Sequence, residues 1–357
     1  MPNQKRLVKI FTNLVEIDSP SGNEERVSQF IEKRLKKLKI KFSKDKAGNL
    51  IANIEGKGEP VLLAAHMDTV DPCFAIQAEV RGDIIKSKGE TILGADDKAG
   101  IAEILEAITV LKEKKLKHRP LEIVFTREEE TGIVGASKLN KKDFKAKQGL
   151  VLDGENIGEI TMASPFVYQI DIKIKGRSAH AGMEPEKGIS AIKVAAEAIS
   201  KLAVGRIDKE TTNNIGSMQS GKIRNGVPED AVIKAEARSH NLRKAQKQIE
   251  LYKKAFTRAA KKYQAKLDFN VKLNCYGYKY NKTDKFIQKI AKEFERLNIK
   301  PRFVKVGGAS DVNAFVRLGI KAVDISYGGK NCHTTRESIK ISYMVKITEF
   351  LINFLQK

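Results

Sequence analysis

The sequence predicts an α/β fold: a mixed, mostly parallel sheet covered by helices, interrupted by a second, α+β unit. Three observations predict it. A short continuous apolar run (VLLAA) and further strand candidates (LEIVFT, QGLVLDG) alternate with segments of helical periodicity, as expected of parallel strands buried on both faces. Near residue 166 the period changes to two, with Ile170, Ile172 and Ile174 alternating with Gln169, Asp171, Lys173 and Lys175. After residue 277 the first texture returns.

In chain order, Ser21 to Glu24 reads as a capping box, S-x-x-E, ahead of an amphipathic helix through RVSQFIEKRLKKL. EPVLLAAH is a buried strand. Beyond ADDKAG, Ile101, Ile104, Leu105, Ile108 and Leu111 follow helical spacing. LEIVFT and QGLVLDG are the next strands. VYQIDIKIKG reads as a half-exposed antiparallel strand, ISAIKVAAEAISKLAV as a helix and AVIKAEARSH as a strand. A lysine-rich helix and the strand LDFNVKLNCYGY follow. Residues 166–276 thus read as a β-α-β-β-α-β unit, inserted into a domain made of residues 1–165 and 277–357. A helix at DKFIQKIAKEFERL, a buried strand at KAVDISY and a C-terminal helix with a broad apolar face complete that domain.

The bulk numbers narrow the class. The chain has 357 residues, 41% hydrophobic and 31% charged, enough for a sizeable core. No apolar run approaches the roughly 18 residues that span a bilayer, and MPNQKRLVKIF turns charged before a signal-peptide core forms. Cys73, Cys275 and Cys332 form no CxxC pair, which argues against a disulfide framework and against a thiolate metal site. A cytoplasmic protein with reduced thiols is expected, with no membrane partner. The net charge of +22 is spread along helix-like stretches, without an aromatic-rich basic strand, a zinc finger or a helix-turn-helix. It reads as solvated lysine-rich faces, and no nucleic-acid partner is expected.

The chemistry gathers where strands end. In open α/β sheets, ligands bind outside the carboxyl ends of the strands. VLLAA ends in His66 and Asp68, LEIVFT in Arg127-Glu128-Glu129-Glu130, GLVL in Asp153, and AVDISYGGKNC leads into His333. Asp96 and Asp97 precede a helix. Each alone has an ordinary explanation: a loop histidine, a solvated charge run, a helix cap, a turn. Together, two imidazoles and three or four carboxylates suit zinc, with manganese or cobalt as substitutes. Two metals about 3.5–4 Å apart can hold a bridging water and polarise a scissile carbonyl. Such a site needs a bridging carboxylate and a free one as general base.

The ordered set DSPSGNE, HMDTV, LGADDKAG, EEETG, LDGE, GRSAHAG, NGVPEDA, GGASD and CHTTRES resembles the dizinc exopeptidases that include peptidase T, carboxypeptidase G, aminoacylase and acetylornithine deacetylase. The pieces cover nearly the whole chain. The resemblance implies a zinc-exopeptidase-like fold whose inserted domain is a lid and dimerisation domain. It makes His66, Asp96, Glu130, Asp153 and His333 the ligands of two zinc ions, with Asp96 bridging and the Asp96–Asp97 peptide cis. It makes Asp68 the carboxylate that orients His66, and Glu129 the general base. His180 would stabilise the oxyanion, often from the partner subunit of a homodimer, while Asn225 and Arg238 would grip the substrate. Glu128 stands where relatives commonly have aspartate.

Asp153 stands where peptidase T and related aminopeptidases have aspartate and deacylases have glutamate. The resemblance is therefore read as nearest to tripeptide aminopeptidases acting on short peptides. A deacylase or carboxypeptidase acting on N-acyl amino acids is the alternative.

Overall fold

In the computed structural model, which describes residues 1–356, four strands run parallel at the centre of a mixed sheet. They are Leu121–Thr126, Val61–His66, Gln148–Gly154 and Lys321–Ser326, side by side in that order. Leu50–Ile54 and Lys41–Lys44 extend one side antiparallel, and Glu159–Ser164 extends the other. Every residue of Val61–His66 and Leu121–Thr126 is buried, the consequence of aliphatic side chains facing helices on both faces. The helix Ala95–Glu113 lies on the Val61–His66 strand and packs against Gln4–Val15 and Ile341–Leu355. Leu63, fully buried here, is the kind of position where truncation to Ala costs about 2–5 kcal/mol.

Because the central strands are parallel, their carboxyl ends share one edge of the sheet. That edge carries His66, the turn from Arg127 to Glu130, Asp153, and the segment that leads from Ser326 to His333. The expected mixed sheet with a mainly parallel centre and flanking helices is the one observed.

The predicted capping box is not formed. The helix Glu25–Lys37 begins without a side-chain cap. Ser21 instead donates its hydroxyl to Asp68 at 2.7 Å, and Glu24, fully buried, binds the Arg127 guanidinium at 2.6 Å and accepts the Glu128 N–H at 3.1 Å. The S-x-x-E spacing served long-range contacts rather than the local helix. A buried carboxylate needs such partners.

The chain divides into two units, one of Met1–Met162, Tyr280–Val306 and the chain from Ser310 on, the other of Ala163–Lys279 with Gly307–Ala309. The second contains an antiparallel sheet in the order Gly205–Asp208, Thr211–Ser220, Asp230–Ser239, Phe166–Lys175, Lys266–Cys275. Helices Ala191–Ile199 and Leu242–Tyr263 cover one face and enclose Ile170, Ile172, Ile174, Ile233 and Phe256. Ser190 and Asn241 cap these helices with side-chain oxygens. The order is β-α-β-β-β-α-β, one strand more than the sequence pattern predicts. The stretch Gly205–Ser220 holds two strands, and TTNNIGSMQS is too polar to show the alternation that marks its neighbours.

Among the described residues, no helix is long and apolar enough to cross a membrane.

Candidate metal centre

His66 is the last residue of its strand and is 2% exposed. Its Nε2 lies 3.0 Å from Asp96 Oδ1 and 3.6 Å from Asp153 Oδ1. Its Nδ1 lies 3.0 Å from the Asp68 carbonyl oxygen and 3.3 Å from the Asp68 carboxylate. The His66 N–H is held by Asp97 Oδ2 at 3.2 Å. Ring and backbone are therefore both fixed, the condition for presenting one nitrogen in one direction.

Asp96 follows Gly94, whose φ of +70° suits a residue without a side chain, and its peptide bond to Asp97 is cis. Its two oxygens point apart. Oδ1 faces Nε2 of His66, and Oδ2 faces Nε2 of His333 at 3.2 Å. His333 Nε2 also meets Glu130 Oε1 at 2.9 Å. The histidine sits on a loop in the left-handed region, with φ +59°, and its side chain is half exposed.

Glu129 and Glu130 are presented by a turn just beyond the Leu121–Thr126 strand, where Glu128 takes a φ of +51°. The Asp68 carboxylate accepts both backbone N–H groups, Glu129 at 3.0 Å and Glu130 at 3.1 Å. Thus Asp68, expected to orient His66, also braces the glutamate turn. Candidate ligand atoms fall into three overlapping groups within 4.8 Å: His66–Asp96–Asp153, His66–Glu129–Glu130, and Asp96–Glu130–His333.

The electrostatics of this arrangement follow from its packed carboxylates. Burial opposes charging His66, yet hydrogen bonds to Asp153, Asp68 and Asp96 hold its pKa well above the ordinary value. Hydrogen bonds to Asp96 and Glu130 raise His333 to about 10. Burial, then the Asp96 charge, pushes Asp153 well up. Burial, then the Asp153 charge, does the same to Glu129. Packed carboxylates that draw protons onto both imidazoles draw divalent cations for the same reason. The donor set fits: imidazole nitrogen plus carboxylate oxygen, with one carboxylate directed at each side.

Several supporting residues lie in the motifs that carry the resemblance but were given no role at the site. Ser21 and Glu24, in DSPSGNE, were read as a helix cap. Glu337, 1% exposed, accepts the N–H groups of Leu93, Gly94 and Asp96. Asp311 of GGASD is buried and accepts the Thr126 hydroxyl, and burial raises its carboxyl to about 6. Contacts between segments so far apart leave no periodicity to read.

His180, Asn225 and Arg238 all lie in the second unit. His180 and Asn225 are exposed and adjacent, with the Ala181 N–H bonded to the Asn225 carbonyl and a bridge between His180 and Gly226. Arg238 is not with them. It lies eight residues beyond Asp230 on the Asp230–Ser239 strand, roughly 27 Å at the usual rise. Its guanidinium is bidentate on Glu236 at 2.8 and 3.0 Å and donates to the Gly307 carbonyl at 3.2 Å.

A family model described as peptidase family M20/M25/M40 matches residues 62–357. A crystal structure of aminopeptidase PepT from Bacillus cereus ATCC 10987 is 36% identical, covering 99% of this chain and 98% of that one, with a TM-score of 0.91. That of a tripeptidase from Staphylococcus aureus subsp. aureus Mu50 is 32% identical over 100% and 98%, with a TM-score of 0.92. Peptidase T of Fusobacterium nucleatum subsp. nucleatum is 31% identical over 280 residues, 76% of this chain and 67% of that protein.

Proposed function

The chain belongs to peptidase family M20/M25/M40, a metallo-exopeptidase, and from that premise we propose that it removes the N-terminal residue of short peptides, tripeptides foremost. The observation that carries the reading is Asp96, whose two carboxylate oxygens face two different imidazoles. Two divalent cations would be held there, zinc in the first place with cobalt or manganese as substitutes. His66, Asp96 and Asp153 would hold one, and Asp96, Glu130 and His333 the other. Bound in this way, the pair supplies a water of lowered pKa and a polarised substrate carbonyl.

The chain's own residues supply the rest. Glu129 is buried beside the ligand groups with its backbone N–H held by Asp68, which places a carboxylate there to act as general base. It takes a proton from the attacking water and returns it to the departing amine. His180 donates to the oxygen that becomes negative. Asn225 and Arg238 hold the substrate, Arg238 as a planar fork already fixed by Glu236. The second unit serves as lid. Because His180 and Asn225 share one end of its sheet and Arg238 the other, a homodimer that shares these residues between copies is the arrangement we favour. The free cysteines agree with a cytoplasmic setting.

Metal analysis alongside turnover of a small peptide library, with and without chelator, tests this reading. We expect two equivalents of cation per chain and aminopeptidase turnover that disappears on chelation. Chelator-insensitive hydrolysis would overturn it.

A further inference from the structure

The two candidate cation positions are built differently. His66 and Asp153 stand on strands of the central sheet, with His66 2% exposed. His333, Glu130 and Asp96 stand on loops, turns and a helix start, and the His333 side chain is 49% exposed. Loop backbones open more readily than central strands. Something must hold Asp96 and His333 in register, and the structure offers one buried residue that bonds to both of the loops that carry them.

Glu337 closes the turn that carries His333. Its N–H donates to the Thr334 carbonyl at 3.0 Å, and the Thr334 hydroxyl donates to the Asn331 carbonyl at 2.8 Å. Asn331 and His333 both have φ near +58°, at +57° and +59°, so this turn is strained and gains from such bracing. The Glu337 side chain then crosses to the Asp96 loop. Oε2 accepts the N–H of Leu93 at 2.8 Å and of Gly94 at 2.7 Å, and Oε1 accepts the N–H of Asp96 itself at 3.0 Å. All lie in the buried interior, where an unanswered amide is costly.

We propose that Glu337 is a positioning residue for the more exposed cation position. It ties Asp96 and His333 to one another without touching a cation or a substrate. The role rests on the two-cation reading above. The oxygens divide the labour in a testable way. A glutamine can keep its single oxygen on the Leu93 and Gly94 amides, but its NH2 then faces the Asp96 N–H. Glu337→Gln therefore releases Asp96 while leaving most of the loop bonded. The Glu337 N–H to the Thr334 carbonyl survives the substitution, so the change acts through Asp96. Without a fixed Asp96 the His66 position keeps two donors on central strands, whereas the His333 position keeps only Glu130 on a turn and His333 on a loop.

The test is a Co2+ titration of the metal-free full-length protein, followed by absorption and calorimetry, for native protein and Glu337→Gln, with thermal unfolding beside it. We expect native protein to bind two equivalents. The variant should bind the weaker equivalent about 10–100-fold less tightly, the usual effect of losing a group that orients a ligand, and the tighter one as before. Its kcat should be low at stoichiometric cobalt and recover at excess, with KM unchanged. Two native affinities in the variant, or equal loss at both positions, would overturn the role of Glu337. Native binding of only one equivalent would instead overturn the two-cation reading and the role with it. Should Glu337→Gln not fold, Glu337→Asp, which keeps the charge and shortens the reach, is judged by the same comparison.

Discussion

The Asp68 carboxylate holds Glu129 by its backbone, with Oδ1 3.0 Å from the Glu129 nitrogen, while its other oxygen takes the Glu130 N–H at 3.1 Å and the Ser21 hydroxyl at 2.7 Å. The same residue meets the His66 ring through its carbonyl oxygen at 3.0 Å and its carboxylate at 3.3 Å. Asp68 thus organises an imidazole on one side and two glutamates on the other. Asp68→Ala leaves the buried Glu129 N–H without its acceptor, at about 1–3 kcal/mol, and frees the partly buried Glu130 N–H and Ser21 hydroxyl. We expect kcat to fall by about 100-fold or more, with cation lost from the position that includes Glu130. Steady-state kinetics and metal content check this; native kcat in the variant would contradict the brace.

Glu129→Gln separates proton transfer from cation binding. The carboxamide keeps the shape and cannot take a proton. Metal content should remain at the native level while turnover falls by about 10²- to 10⁴-fold, the range general-base removal usually gives. Native-like turnover would sink the assignment of Glu129 as base.

His66 and His333 should differ in what their loss does to the fold. His66 is buried at a strand end and His333 is half exposed on a loop. His66→Ala should remove one cation and lower the thermal midpoint of the metal-free protein. His333→Ala should weaken the other cation and lower that midpoint less, through loss of its half-exposed pairs with Asp96 and Glu130. Differential scanning calorimetry of both metal-free variants distinguishes them, and equal shifts would contradict the difference in burial.

Proton release should accompany metal loading. Hydrogen bonds to Asp96 and Glu130 raise His333 from 6.5 to about 10 in the metal-free protein, so at pH 8 it is protonated, whereas a ligating imidazole must be neutral. The folded pKa lies above the unfolded one. The stability it contributes to the metal-free protein is therefore complete below pH 6.5 and lost as pH rises through about 10. Adding zinc to the metal-free protein at pH 8 in weak buffer should release protons, and cation affinity should rise with pH. A pH-stat titration with no release would contradict the predicted charge of the site.

The parts of this architecture legible in the sequence are those set by strand burial. Val61–His66 opens with a continuous apolar run and Leu121–Thr126 is mostly apolar, and their polar followers must meet because parallel strands end on one edge. That logic gathers His66, Glu129, Glu130, Asp153 and, beyond a short loop, His333, with Asp96 before a helix, and the structure brings these residues together. What could not be read rests on long-range bonds to backbone. Glu337 reaches Asp96 across 241 residues, and no period marks such a partner. Glu24 offered a signal that pointed elsewhere, since S-x-x-E has one spacing whether it caps a helix or holds Arg127 and the Glu128 amide. The polar strand Thr211–Ser220 was hidden because pairing, not side-chain alternation, defines it.

The reaction proposed for this chain is metal-dependent removal of the N-terminal residue from short peptides. The most direct measurement compares hydrolysis of a free-amine tripeptide with its N-acetylated form by zinc-loaded protein, with products resolved by mass spectrometry. Release of the N-terminal residue from the free-amine peptide alone is expected, abolished by chelator and restored by zinc. Faster cleavage of the acetylated form would contradict it and point to a deacylase or carboxypeptidase instead.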